Sequence, residues 1–258
     1  MPAVGPADAS YGVPVRALAV DGLVNARDLG GLPLRGGGAT PRGVFFRSEN
    51  VDALTARGWG ELHRLGVRTV VDLRQAAERE RDQCTRPDWV VTVHVDLDGL
   101  ENVDFWHDYA ESGLWGTAAH FLPHLAAMPE RAGAALEAVA GAREGGVLFH
   151  CMSGRDRTGL VAMLLLSVVG VESDAIVDDY LETVRRADAL AAASGRENDE
   201  PAREAILARR GSSTEQAFRD ALAGLDLVAF LTLAGVPEGA QRRLRTWRGS
   251  ITSGEDAR

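Results

Sequence analysis

The sequence predicts an α/β fold with a central, mostly parallel sheet flanked by helices. Three observations carry that expectation. Short β-branched or apolar runs at Gly43–Arg47, Val67–Leu73, Val90–Leu97 and Gly146–His150 have the length and composition of buried strands. Segments with helical spacing alternate with them, the pattern that builds parallel sheets. Three of the runs end in polar side chains: Asp72 and Arg74, Asp96 and Asp98, His150 and Cys151. In a parallel sheet those ends share one edge, the edge at which open α/β sheets bind ligands.

The elements follow in order. Residues 1–18 are rich in Pro, Gly and Ala and read as a flexible arm. Leu54 to Leu65 has helical apolar spacing, with Thr55 as N-cap and Gly66 as stop. A charged helix is expected over Ala76–Asp82. Residues 101–143 and 172–224 are helical, the first with Phe105, Trp106, Tyr109 and Trp115 clustered. Helical additions of this size either cover a site or pack as ordinary layers. Residues 214–248 read as a helix broken at Gly224, and 250–258 as a flexible tail. The organisation is one domain over 19–249, with lid-like segments at about 101–143 and 172–224.

Composition narrows the function classes. The 258-residue chain carries a formal net charge of −9, which disfavours nucleic acid as a partner. It has no lysine, so any phosphate clamp must be an arginine, which grips oxyanions through two parallel hydrogen bonds. Two cysteines, Cys84 and Cys151, are too few for a disulfide framework and lack metal-ligand spacing. No metal or cofactor is called for. The N-terminal stretch lacks a secretory pattern, and the apolar run Leu160–Val171 is too short for a transmembrane segment. A cytoplasmic location is expected, with export without a classical signal peptide as the alternative. Oligomeric state is not legible.

The chemistry centres on His150-Cys151-Met152-Ser153-Gly154-Arg155-Asp156-Arg157-Thr158-Gly159. A cysteine followed six positions later by an arginine arises by chance in roughly one such chain in five, so the spacing alone says little. Its setting says more. A strand precedes the loop and a helix follows it, so successive N–H groups of Met152, Ser153, Gly154 and Arg155 form a nest for a tetrahedral oxyanion. Gly154 permits the sharp backbone, and Gly159 lets the helix approach the sheet. Arg157 can fork two phosphate oxygens. The same positive field favours a Cys151 thiolate, which can attack phosphorus and form a phosphocysteine. Thr158 is placed to donate to the Cys151 sulfur when it leaves. The proton for the departing oxygen has four candidate sources: Asp156, Asp96, Asp98 and Asp72.

These residues resemble the HC-x5-R-[ST] signature of the protein tyrosine phosphatase superfamily, and most closely the bacterial tyrosine-phosphatase family with an HCxxGKDRTG loop. The likeness extends to Asn25-Ala26-Arg27-Asp28-Leu29-Gly30-Gly31, to the block from Arg47-Ser48 to Asp72-Leu73-Arg74, and to Asp179-Tyr180-Leu181. The resemblance implies a protein-tyrosine-phosphatase-like fold, Cys151 as nucleophile, Arg157 as clamp, Asp156 as general acid and helical lids. It implies phosphotyrosine in proteins as substrate, with phosphoserine, phosphothreonine or phosphoinositides as further candidates. No Trp-Pro-Asp loop is visible, which favours Asp156. Arg155 stands where that family has lysine, which puts a taste for extra phosphates in doubt. Arg74 is expected either to meet substrate phosphate or to pair with Glu78. His150, Asp72, Asn25, Arg27 and Asp28 are expected to brace the loop from behind. The competing readings are a phosphatase for inositol phosphates or other small phosphoesters, and a phosphate-binding module without turnover.

Overall fold

A computed structural model describes residues 16–82 and 84–251. The arm expected over 1–18 and the tail expected over 250–258 therefore lie outside it, save residues 16–18 and 250–251. Of these, Arg16 is tied to Asp179 at 2.7 Å, and the Leu18 N–H donates to the Ala26 carbonyl.

The described residues form a five-stranded sheet in the order β1 (Arg27–Asp28), β2 (Phe45–Ser48), β5 (Gly146–His150), β3 (Val67–Asp72), β4 (Val91–His94). All neighbours are parallel except β1 with β2. Adjacent residues point to opposite faces, as strand geometry demands. Phe45, Val71, Val147 and Phe149 join one hydrophobic cluster, while Phe46, Val70 and Leu148 join the other. The second cluster is closed by α1 (Ala56–Arg64), whose Thr55 cap accepts from the Gly58 N–H at 3.1 Å. The first, larger cluster takes in α5 (Pro129–Gly141), α6 (Asp156–Val169) and α7 (Ser173–Arg185). Every α6 residue from Thr158 to Leu166 is buried, which is why its sequence is apolar all round.

The sheet register sets the carboxyl ends side by side. Ser48 is opposite His150, His150 opposite Asp72, and Asp72 opposite His94. The common polar edge predicted from the strand ends is present.

Several boundaries differ from expectation. The strand expected over Val90–Leu97 stops at His94, because the Asp96 carboxylate accepts from the Asp98 and Gly99 N–H groups and turns the chain. The helix expected over Ala76–Asp82 ends at Arg79. The segment 214–248 forms three helices, α10 (Thr214–Ala223), α11 (Leu227–Leu233) and α12 (Glu238–Arg245). The second break, at Gly235 and Pro237, combines a left-handed glycine with a residue that cannot donate.

The two lid-like segments divide by burial. In 101–143, α5 is a packing layer with Ala132, Ala135, Leu136 and Val139 fully buried. Helix α4 (Phe121–Ala127) also contributes to the core, and α3 (Val103–Ser112) buries only Trp106. In 172–224, α7 is core, whereas α8 (Ala187–Ser194) buries nothing and α9 (Glu200–Ala208) only Leu207.

Candidate active site

Four carbonyls of the segment between β5 and α6 are each engaged by a donor from a neighbouring element. The His150 carbonyl accepts from the Leu73 N–H and the Met152 carbonyl from the Asn50 N–H, both at 2.9 Å. Asn25 Nδ2 donates to the Ser153 carbonyl at 3.2 Å, and an Arg47 nitrogen to the Gly154 carbonyl at 2.6 Å. A trans peptide points its N–H opposite to its carbonyl. The Ser153, Gly154 and Arg155 N–H groups are thus turned toward the loop centre, where an oxyanion fits. Gly154 has φ +71°, and a Cβ there would lie 2.4 Å from the Ser48 carbonyl oxygen. Only glycine meets both conditions. Gly159 packs against a different neighbour from the one expected: a Cβ there would meet the Tyr180 ring on α7 at 3.0 Å.

Behind the loop lies a buried ionic hub. Asp179 takes Arg27 at 3.0 Å and Arg47 at 2.6 Å, in addition to Arg16. Burial pushes its carboxyl up, but the three guanidiniums outweigh that and hold it well below the usual carboxylate range. Arg27 also donates to the Asn25 side chain at 2.7 Å. Asn25 and Arg27 therefore reach the loop through a chain of hydrogen bonds. Asp28 does not; its carboxylate accepts from the Gly30 and Gly43 N–H groups and shapes the β1–β2 connection. Glu49 takes the Val24 and Asn25 N–H groups.

Cys151 is 2% exposed at the base of the loop. Its His150 neighbour is neutral: burial lowers the imidazole to about 4, and Nδ1 lies 3.0 Å from the Cys151 carbonyl. His150 Nε2 lies 3.9 Å from Asp72. Thr158 is fully buried, and its hydroxyl has no partner among the described residues. The hydrogen bond to sulfur expected of it is not formed in this structure.

Arg157 extends over the loop and meets two carboxylates. Its terminal nitrogens are 2.5 and 2.8 Å from the two Glu78 oxygens, and one is 3.0 Å from Asp98. Burial would lower its pKa, but Glu78, Cys151 and Asp98 hold it firmly protonated. Glu78, one of the two partners open to Arg74, is thus taken by Arg157. Arg74 instead is fully buried: Asp72 grips it at 2.9 and 2.8 Å, Asp52 at 2.6 Å and Asp82 at 3.1 Å. With four of its five N–H groups on carboxylates and no exposed surface, Arg74 is not placed to meet a substrate phosphate.

The four candidate acids separate clearly. Asp72 is committed to Arg74, and Asp96 to the turn at Asp98. The Asp156 carboxylate is 2.6 Å from Arg155; burial raises it, but Arg155, Arg203 and His120 together hold it below its usual range. Asp98 goes the other way. Burial raises its carboxyl to about 6 against the pull of Arg157, with Glu78, Asp96 and Asp156 adding to the rise. Its backbone is fixed by the Trp106 indole N–H, which donates to the Asp98 carbonyl at 2.9 Å. His124 packs against the Phe105 and Trp106 rings beside it. The aromatic cluster at 105–115 thus packs on itself and on His120 and His124, anchoring the β4–α3 loop.

A cavity of about 600 Å³ opens above the loop. It is lined by Met152, Ser153, Asp156 and Arg157 of the loop, by Glu49, Asn50, Asp52, Ala53 and Glu78, and by residues of α8 and the start of α9.

The fold and this strand–loop–helix site define a class of α/β proteins that hold a cysteine beneath a ring of backbone N–H groups. The chain belongs to the tyrosine phosphatase family, whose model matches residues 18–245. It is similar to a Cupriavidus necator protein provisionally named a tyrosine-protein phosphatase, with 34% identity over 66% of this chain and 63% of that one. It is also similar to a tyrosine-protein phosphatase of Nostoc commune, at 31% over 55% of this chain and 49% of that one. A third relative is the triple specificity protein phosphatase PtpB of Mycobacterium tuberculosis, at 32% over 55% and 61%. The matched stretches thus span between about half and three fifths of these relatives' lengths. Among solved structures, P. aeruginosa TpbA in complex with pTyr overlaps 75% of this chain and 87% of that one, at 18% identity and a TM-score of 0.39, too distant to argue from. No helix among the described residues is long and apolar enough to cross a membrane.

Proposed function

We propose that this chain hydrolyses phosphotyrosine in proteins through a phosphocysteine on Cys151. The anchoring of the loop carbonyls by neighbouring elements is the observation that carries the reading. It leaves N–H groups and Arg157 around the one point where a thiolate and a phosphoryl group can meet.

The steps follow from that placement. The Cys151 thiolate attacks phosphorus, the S–P bond forms, and the P–O bond to the tyrosyl oxygen breaks. Charge growing on the equatorial oxygens is met by the Ser153, Gly154 and Arg155 N–H groups and by Arg157. Glu78 holds the Arg157 guanidinium by two hydrogen bonds. The leaving phenolate takes a proton. Asp98, 3.0 Å from Arg157 and raised by burial to about 6, is assigned that role and is half protonated at pH 6; Asp156, which lines the cavity but is held below its usual range by Arg155, is the alternative. The Asp98 carboxylate then takes a proton from water as the water oxygen attacks phosphorus and the S–P bond breaks, leaving the thiolate in the field of the loop N–H groups and Arg157. Helices α8 and α9 act as the lid over this chemistry.

The test is Cys151→Ser in a phosphotyrosyl-peptide assay. Hydrolysis falls to background while peptide binding persists. Turnover that survives the substitution removes the phosphocysteine mechanism, and binding without turnover by the unaltered protein turns the reading to a phosphate-binding module.

A further inference from the structure

The second arginine of the loop borders the cavity but is buried against protein acceptors. Arg155 is 2% exposed, and each of its guanidinium nitrogens lies beside a protein acceptor. One terminal nitrogen donates to the Gly116 carbonyl and to Asp156, both at 2.6 Å. The other donates to Glu200 at 2.9 Å, and Nε is 2.5 Å from the second Glu200 oxygen. The guanidinium also lies over the Tyr180 ring, 5.4 Å from its centre. Its contacts to Asp156, Glu200 and the Gly116 carbonyl hold this guanidinium at 2% exposure, whereas Arg157, also paired with two carboxylates, keeps 15% of its side chain open to the cavity.

The remaining charges around the cavity point the same way. Arg203 is taken by Glu200 and Asp199. Arg196 at the rim is the one lining arginine without a carboxylate partner among the described residues. The carboxylates lining the cavity outnumber its guanidiniums seven to four. Ala187, Leu190, Ala191 and Ala193 of α8 also line the cavity, an apolar surface suited to an aromatic ring.

We propose that Glu200 is a specificity-determining residue: by sequestering Arg155, it closes the position a second phosphate would need, so the cavity takes substrates with one phosphoryl group and rejects polyphosphorylated inositol headgroups. Like charges held several ångströms apart in a half-enclosed cavity oppose a second phosphate with no counter-ion. This rests on the phosphatase reading above.

The experiment compares wild type and Glu200→Gln on four substrates: p-nitrophenyl phosphate, a phosphotyrosyl peptide, and short-chain phosphatidylinositol carrying one or three phosphate monoesters. Wild type is expected to turn over the triply phosphorylated lipid at least tenfold less efficiently than the singly phosphorylated one, and Glu200→Gln to narrow that ratio by about tenfold through release of Arg155. Equal wild-type turnover of the two lipids overturns the proposal, with no variant needed. So does a Glu200→Gln protein that loses activity on both lipids in equal proportion. Failure of p-nitrophenyl phosphate hydrolysis in wild type identifies the phosphatase reading itself as the fault and takes the proposal with it.

Discussion

Replacing Asp98 by Asn tests the least obvious part of the site. The structure moves this carboxyl from 3.8 to about 6, which makes it about 3 kcal/mol harder to ionise than an ordinary aspartic acid. The side chain is 11% exposed, so little solvent screening dilutes that value. At pH 6 roughly half the molecules carry the proton, about a hundredfold more than at an unshifted aspartate. A general acid contributes about 10²–10⁴-fold, so Asp98→Asn is expected to lower kcat/KM for a phosphotyrosyl peptide by at least about 10²-fold. The loss is smaller for p-nitrophenyl phosphate, whose leaving group needs little help. The pH profile gives the sharper readout. With wild type, activity falls as pH rises through the Asp98 pKa in the free enzyme, and Asp98→Asn removes that descending limb. Asp156→Asn leaves the limb in place. If Asp156→Asn flattens the profile and Asp98→Asn preserves it, the assignment from burial is refuted.

Two further substitutions probe the framework. Gly154→Ala adds a left-handed penalty of about 1 kcal/mol and drives a methyl into the Ser48 carbonyl. The loop must shift, and misplacement on the order of 1 Å costs about 10²-fold in rate, measurable as kcat on an aryl phosphate; activity within fivefold of wild type counts against a strained loop. Asp179→Asn leaves buried Arg27 and Arg47 without a counter-charge and is expected to cost about 3 kcal/mol in urea unfolding at pH 7. The Asp179 pKa is depressed by folding, so its contribution is present above the unfolded value near 4 and is lost as pH falls below it. The gap between wild type and Asp179→Asn therefore closes on acidification, and a gap unchanged at pH 3 argues against the ionic hub.

By itself the sequence determined what depends on local order. Strands, the Thr55 cap, the Cys151 loop and the left-handed Gly154 are set by residue types a few positions apart, so spacing and backbone sterics suffice to read them. The common polar edge also followed, since parallel strands put their carboxyl ends together. Tertiary structure decided the partners of the charges. Glu78 is 79 residues from Arg157, Arg47 is 132 from Asp179, and Glu200 is 45 from Arg155. Arginines and carboxylates are so frequent here that no spacing singles out a pair. A carboxyl's pKa likewise depends on how deeply its neighbours bury it, and burial belongs to the packed chain. Asp156, beside Arg157 in sequence, is drawn off by Arg155, while Asp98, far away in sequence, is pressed against the clamp.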